Sequence, residues 1–198
     1  MPHIDYYFTP VSPWTYLGHA RFRAIARAAG ASVSVQPVDY GVIFPASGGL
    51  PLPKRAPQRQ AYRLVELARF SRHLNVPLNL QPKFFPVDGA AASRLIVATQ
   101  AARGPQAALD LAGAMMKAVW AEDRNLADEA TLAALLGEQG LDPGLLAASR
   151  ESAADEGYRA NTQRALEAQV FGAPSYVVDG EIFWGQDRLD FLERKLRG

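Results

Sequence analysis

Ser12 stands where a helix is expected to begin, and its hydroxyl could act on a bound anion. Serine is a favoured N-cap residue, and Pro13 suits the first position of a helix. A helix N-terminus presents unpaired N–H groups and the positive end of the helix dipole, which favour an anion such as a thiolate. A hydroxyl donor directed at the sulfur would lower the pKa of the thiol further. Ser12 could therefore activate a thiol, or it could simply cap the helix.

The chain itself supplies no thiol. It contains no cysteine, and Ser12-x-x-Thr15 stands where a redox protein would carry Cys-x-x-Cys. Thiol chemistry is therefore either lost or borrowed from a small molecule. A serine-hydrolase triad is not supported, because the chain has three histidines and no Gly-x-Ser-x-Gly around Ser12. The three histidines also lack the spacing of metal ligands, so no metal site is predicted.

Two segments near the C-terminus could complete a binding site. Gly172-Ala173-Pro174-Ser175 comes directly before a predicted strand, and proline cannot donate a hydrogen bond to a strand ladder. Gly185-Gln186-Asp187-Arg188 opens the last predicted helix. Asp187 could cap that helix. Alternatively, the N–H groups of Gln186 and Asp187 could hold a carboxylate while the Asp187 side chain pairs with an ammonium.

Several aromatic residues could line a pocket for an aromatic substrate, although each could equally belong to the core. A substrate carboxylate would also need a cation, for which Lys83, Lys54 and Arg55 are candidates. The predicted substrate pocket comprises Trp14, Phe44, Lys54, Phe85 and Trp184.

These residues lie at the ends of predicted strands and helices. Apolar periodicity predicts strand, helix, strand over Ile4 to Phe8, Pro13 to Ala29 and Val33 to Val38. The C-terminal segment predicts two strands joined by an Asp179-Gly180 turn, then a helix. The apolar spacing of the segment between these two parts predicts helices and no strand. The fold class is therefore α/β, with residues 1–43 and 168–198 forming one domain and residues 44–167 an all-helical insertion between the second and third strands.

Composition points to small-molecule partners. The chain has 198 residues, 21 lysines and arginines, 20 acidic residues and a net charge of +1. The chain has no run of basic or acidic residues of the kind that would predict binding to nucleic acid or to a membrane surface. The start of the chain lacks a signal-peptide pattern and no apolar run has transmembrane length, so a cytoplasmic location is expected.

Three groups of residues together resemble one family. They are Phe8-x-x-x-Ser12-Pro13-Trp14-x-Tyr16-Leu17, then Asn161-Thr162-x-x-Ala165, and finally Val170 to Ser175 followed by Val178 to Leu189. They are similar to 2-hydroxychromene-2-carboxylate isomerases, which are akin to kappa-class glutathione transferases and DsbA-type oxidoreductases. The resemblance covers nearly the whole chain and implies a thioredoxin-like fold, with glutathione as cofactor and a homodimer as the assembly.

The resemblance also implies roles for individual residues. Ser12 would activate the glutathione sulfur. Ala173 and Pro174 would hold the cysteinyl backbone, and Gln186 with Asp187 would hold the γ-glutamyl end. The implied reaction interconverts 2-hydroxychromene-2-carboxylate and trans-o-hydroxybenzylidenepyruvate by reversible thiolate addition.

One departure from the family concerns a charged residue. Some relatives carry a lysine shortly after the second strand, where this chain reads Val42-Ile43-Phe44-Pro45. The residue that would bind a ligand carboxylate in place of this lysine is therefore left open by the resemblance. Two alternatives to an isomerase are a kappa-like glutathione transferase that forms stable conjugates and a non-catalytic binding protein of thioredoxin fold.

Overall fold

A four-stranded mixed sheet organises the molecule, and a computed structural model describes all residues from 1 to 198. The strands are β1 (His3–Phe8), β2 (Ser32–Pro37), β3 (Ser175–Val178) and β4 (Glu181–Trp184), in the spatial order β2-β1-β3-β4. β1 pairs in parallel with β2 and antiparallel with β3, and β3 pairs antiparallel with β4. The parallel pair needs a crossover, which the first helix provides.

Eight helices surround the sheet, and six of them form most of the long segment between β2 and β3. The helices in chain order are α1 (Pro13–Ala28), α2 (Tyr40–Ser47), α3 (Pro57–Leu74), α4 (Ala90–Glu122), α5 (Glu129–Glu138), α6 (Gly144–Ala148), α7 (Ser152–Glu167) and α8 (Leu189–Arg197). Short 3₁₀ turns occupy Leu52–Lys54 and Gln186–Arg188. The predicted boundary between residues 43 and 44 falls inside α2.

The helix α4 contains a kink that divides it into two segments. Gly104 has φ 81° and ψ 175°, outside the helical range, and Pro105 follows it. Proline has no N–H to continue the helical hydrogen bonds, so the break falls at this pair. The apolar residues within 95–99 and 109–120 therefore lie in two separate arms of α4, one on each side of the break.

Helices cover both faces of the sheet, and successive side chains along β1 point alternately into the two apolar clusters that this arrangement creates. Ile4, Tyr6 and Phe8 enter a core of 28 buried residues that includes side chains of α1, α4, α5 and α8. Tyr7 points the opposite way, into a smaller cluster with residues of α2 and α7. The large core joins strands and insertion, so the two predicted parts pack as one body.

The turn between β3 and β4 is the one predicted from Asp-Gly. Asp179 and Gly180 have φ values of 51° and 79°, and positive φ at both central residues is the requirement of a type I′ hairpin turn. Val178 pairs with Glu181 across it. None of the helices combines the length and the apolar character needed to cross a membrane.

A buried histidine joins β1, α1 and α4. His19 Nε2 lies 2.9 Å from the Leu109 carbonyl oxygen, which can only accept, so Nε2 donates. Its Nδ1 lies 3.1 Å from the Tyr6 hydroxyl and accepts from it. Burial is the main reason that the pKa of His19 falls from 6.5 to about 4, so the ring is neutral in the folded protein.

Candidate functional site

The predicted site residues come together because strand ends meet at one edge of the sheet. β1 ends at Phe8, where its antiparallel neighbour β3 begins with Ser175, and Ser175 lies opposite Trp184, the last residue of β4. Ser12 follows the end of β1, Pro174 precedes β3, and Gln186 follows the end of β4. The backbone therefore places these three segments at the same edge.

Ser12 caps α1 and keeps its own hydroxyl hydrogen free. Its Oγ accepts a hydrogen bond of 3.3 Å from the Thr15 N–H, so the prediction of an N-cap agrees with the structure. The Ser12 O–H has no acceptor within the chain, and the Trp14 N–H also makes no intramolecular hydrogen bond. A buried hydroxyl and an unpaired N–H at a helix N-terminus form a donor pair suited to an anion.

The segment before β3 presents an unpaired stretch of backbone. The Ala173–Pro174 peptide bond is cis, and neither the N–H nor the C=O of Ala173 makes a hydrogen bond within the chain. The preceding Gly172 carbonyl accepts from two hydroxyls, those of Tyr40 at 2.8 Å and Ser175 at 2.7 Å. Ala173 is thus held in place by its neighbours while its own backbone groups can pair with a ligand backbone.

The start of the last helical segment differs in part from the sequence interpretation. A 3₁₀ turn, Gln186–Arg188, comes first, and α8 begins only at Leu189. The alternative that Asp187 caps the last helix is therefore wrong, because its carboxylate makes no capping bond and instead pairs with Arg188. The N–H groups of Gln186 and Asp187 make no backbone hydrogen bond, so they can receive an anion. The Gln186 side chain is buried, so its backbone N–H is the group that remains available to a ligand.

A glycine lets α1 approach this turn closely. A Cβ at Gly18 would lie 2.6 Å from Gln186 Cβ and 3.4 Å from the Tyr176 hydroxyl oxygen. The Gln186 amide and the Tyr176 hydroxyl are buried without hydrogen-bond partners. Gly18 therefore sets the distance between the helix that carries Ser12 and the turn that carries Asp187.

We expect Gly18→Ala to lower the free energy of unfolding by about 1–3 kcal/mol, because the added methyl group overpacks this contact. Gly137, in α5, is the matched control because a Cβ there would meet no atom within 4 Å. Gly137→Ala should raise the free energy of unfolding by about 0.5–1 kcal/mol through helix propensity. Urea unfolding of both variants provides the measurement, and an equal stabilisation by both would contradict the close contact.

The predicted pocket residues pack against different neighbours. Trp14 packs edge-on against Phe70 of α3, with ring centroids 6.0 Å apart. Phe44 packs on Tyr40, and Trp184 packs on Phe171 and is half exposed. Lys54 is exposed at the end of a 3₁₀ turn. Their role as a substrate pocket remains a prediction.

Phe85 alone among the five lines an open depression of about 390 Å³. Residues 83–88 form most of its wall, including the candidate cation Lys83. On another side, Phe85 packs against Trp120, and the Arg63 guanidinium lies over both rings. Arg63 was not among the predicted cations. The signal for it was the spacing of Arg55, Arg59 and Arg63, each four residues from the next.

Comparison with known proteins identifies the family. The family model for the DSBA-like thioredoxin domain matches residues 3–197. The 2-hydroxychromene-2-carboxylate isomerase of Sphingobium xenophagum is 32% identical over 195 residues, which are 98% of this chain and 97% of that protein. The chain belongs to the 2-hydroxychromene-2-carboxylate isomerase family. The family is one of isomerases, so the sequence prediction of an enzyme of this class is confirmed.

Membership of the 2-hydroxychromene-2-carboxylate isomerase family agrees with the structure. A solved 2-hydroxychromene-2-carboxylate isomerase superposes with a TM-score of 0.81 at 27% identity, covering 98% of this chain and 94% of the other. Glutathione S-transferase kappa 1 of Caenorhabditis elegans is 24% identical, over 97% of this chain and 89% of its own length. The thioredoxin-like fold with a helical insertion, expected from the resemblance, is confirmed.

Proposed function

We propose that this member of the isomerase family uses glutathione to interconvert 2-hydroxychromene-2-carboxylate and trans-o-hydroxybenzylidenepyruvate, or a closely related aromatic intermediate. The observation that carries the proposal is the set of unpaired backbone and hydroxyl groups at one edge of the sheet. They come from three segments, at Ser12, Ala173 and Gln186 with Asp187. A chain without cysteine needs a thiol from elsewhere to use such a site.

The chemistry of these groups fits a γ-glutamyl tripeptide. The free N–H and C=O of Ala173 can form paired hydrogen bonds with the cysteinyl backbone, as neighbouring antiparallel strands do. The N–H groups of Gln186 and Asp187 suit the γ-glutamyl carboxylate, and the Asp187 carboxylate suits its ammonium. Arg188 pairs with Asp187 and would share it with the ligand.

When bound, glutathione supplies a thiolate nucleophile that can add reversibly to a conjugated double bond. Ser12 donates its free hydroxyl hydrogen toward the sulfur position and so favours the charged form of the thiol. The unpaired Trp14 N–H at the same helix end also favours the charged form of the thiol. Burial of Ser12 keeps water from competing for its hydroxyl.

Two alternatives predict different fates for glutathione. A kappa-like transferase would consume it by forming a stable conjugate, whereas an isomerase returns it unchanged. A non-catalytic binding protein of this fold would turn over neither compound. The relationship to a kappa transferase in sequence is the specific reason to test conjugation.

The experiment follows the ultraviolet spectrum of trans-o-hydroxybenzylidenepyruvate with the protein and substoichiometric glutathione, while free thiol is titrated in parallel. We expect many isomerisation turnovers per glutathione and no loss of thiol. Stoichiometric thiol loss with an electrophilic aromatic acceptor would support the transferase instead. Absence of both glutathione binding and isomerisation would overturn both enzyme hypotheses. The homodimer and the cytoplasmic location stay predictions.

A further inference from the structure

Arg63 is a half-buried cation that no acidic residue neutralises. Its side chain makes no hydrogen bond or ion pair in the structure, although the protein pairs eight other arginines with carboxylates. Those eight are Arg23, Arg69, Arg94, Arg124, Arg150, Arg159, Arg188 and Arg197. Removing a charge from water without a partner is costly, so an unpaired half-buried arginine is the exception that needs an explanation.

The neighbours of Arg63 increase this cost. Burial, and next the Arg55 guanidinium, lower the pKa of Arg63 to about 10. Arg59 lies one turn before Arg63 on α3, and like charges four residues apart destabilise a helix. Arg59 also lowers the pKa of Arg55. Three positive side chains thus come together in a region where the protein provides no compensating carboxylate, and a bound anion would relieve their repulsion.

Aromatic rings hold the Arg63 guanidinium. Its Cζ lies 5.4 Å from the Phe85 ring centroid and 5.7 Å from the Trp120 ring centroid, and these two rings lie 4.7 Å apart. Such cation–π contacts orient the planar guanidinium while leaving its N–H donors unused. The Trp120 Nε1–H, fully buried, also has no acceptor. The surroundings combine a carboxylate-binding cation with flat apolar surfaces.

This group lies close to the segment that carries Ser12. The loop that contains Phe85 continues to Gly89, where a Cβ would lie 3.1 Å from Val11 Cγ1 and 3.5 Å from Thr9 Oγ1. α3, which carries Arg63, also packs against the start of α1 through Phe70 and Trp14. Both elements that hold Arg63 therefore flank the beginning of α1.

We propose that Arg63, supported by Arg55, binds a ligand carboxylate, and that Phe85 contacts the aromatic ring of the same ligand. The choice of an aromatic substrate that bears a carboxylate rests on the proposed function. The glycine carboxylate of glutathione has the same chemistry and is the other possible source. The position of Phe85 favours the substrate as the source of the carboxylate. An aromatic ring next to the cation suits an aromatic acid better than the C-terminal glycine of a peptide.

The test measures binding by calorimetry with trans-2-hydroxycinnamate, its methyl ester and glutathione, each titrated separately into the protein. We expect Arg63→Gln to weaken binding of trans-2-hydroxycinnamate about 10- to 100-fold. The uncharged ester should bind equally to both proteins, and the affinity for glutathione should change less than twofold. Arg72→Gln is the matched control, because Arg72 is an exposed arginine on the same helix.

The outcomes separate the possibilities. Weaker binding of glutathione alone would support the carboxylate site and assign it to the glycine end of the cofactor. No change for either carboxylate, or an equal loss for acid and ester, would overturn the proposal. Thermal unfolding is a second readout, since removing an uncompensated charge should leave the melting temperature unchanged or higher. Binding of the acid through Arg63 without any binding of glutathione would sustain this inference while refuting the proposed function.

Discussion

Replacing Ser12 by alanine is expected to lower the rate of isomerisation about 100-fold, the usual effect of removing one donor to a developing or resident anion. The affinity for glutathione should change little, because Ala173, Gln186 and Asp187 provide most of the proposed contacts through their backbone. Steady-state kinetics and calorimetry on the same preparation measure the two quantities. An equal loss of binding and turnover would mean that Ser12 only shapes the site.

The loss of a helix cap must be separated from the loss of a donor. Ser12→Ala removes the acceptor of the Thr15 N–H and should cost about 1 kcal/mol of stability. Asp128→Ala is the matched control, because Asp128 caps α5 by accepting from the Ala130 N–H and is exposed. It should cost a similar amount while leaving the activity unchanged. A comparable fall in activity would show that destabilisation, and not the missing donor, slows the reaction.

Acidification is expected to destabilise the protein through His19. Its pKa is depressed in the folded state to about 4 from 6.5, so the unfolded chain binds the proton first as pH falls. The stabilising contribution is complete above pH 6.5 and is lost as the pH falls toward 4. A shift of this size corresponds to about 3 kcal/mol.

Urea unfolding of wild type and His19→Gln between pH 7 and pH 4 isolates this contribution. The wild type should lose about 3 kcal/mol more than the variant over this range. His3→Gln is the control, because His3 is exposed, and it should keep the wild-type dependence. If His19→Gln does not fold, NMR titration of the wild-type histidine answers the same question. A pKa near 6.5 for His19 would contradict its burial as a neutral donor and acceptor.

Local signals in the sequence predicted much of the fold. Ser12-Pro13 marked the start of α1, and Asp179-Gly180 marked the hairpin between β3 and β4, because each depends on a few adjacent residues. The 3₁₀ turn at Gln186–Arg188 was not predicted. Its position depends on contact with Gly18, which lies far away along the chain and has no local signature.

The difference between local signals and contacts between distant residues also explains which site residues the sequence could predict. Ser12, Ala173 and Asp187 could be named from the short motifs that contain them and from the family resemblance, and the strand ends bring all three to one edge of the sheet. Arg63 was missed because its environment is assembled from three distant segments. An arginine on an amphipathic helix is normally solvated, and only the packing of Phe85 and Trp120 beneath it reveals the unpaired charge.

The central claim is that the N-terminus of α1 at Ser12 stabilises the thiolate of bound glutathione. Titration of the ultraviolet thiolate absorbance of glutathione, bound to wild type and to Ser12→Ala under saturating conditions, measures the thiol pKa in each complex. The account predicts a pKa below that of free glutathione in the wild-type complex and a higher pKa in the Ser12→Ala complex. Identical pKa values in the two complexes would contradict it.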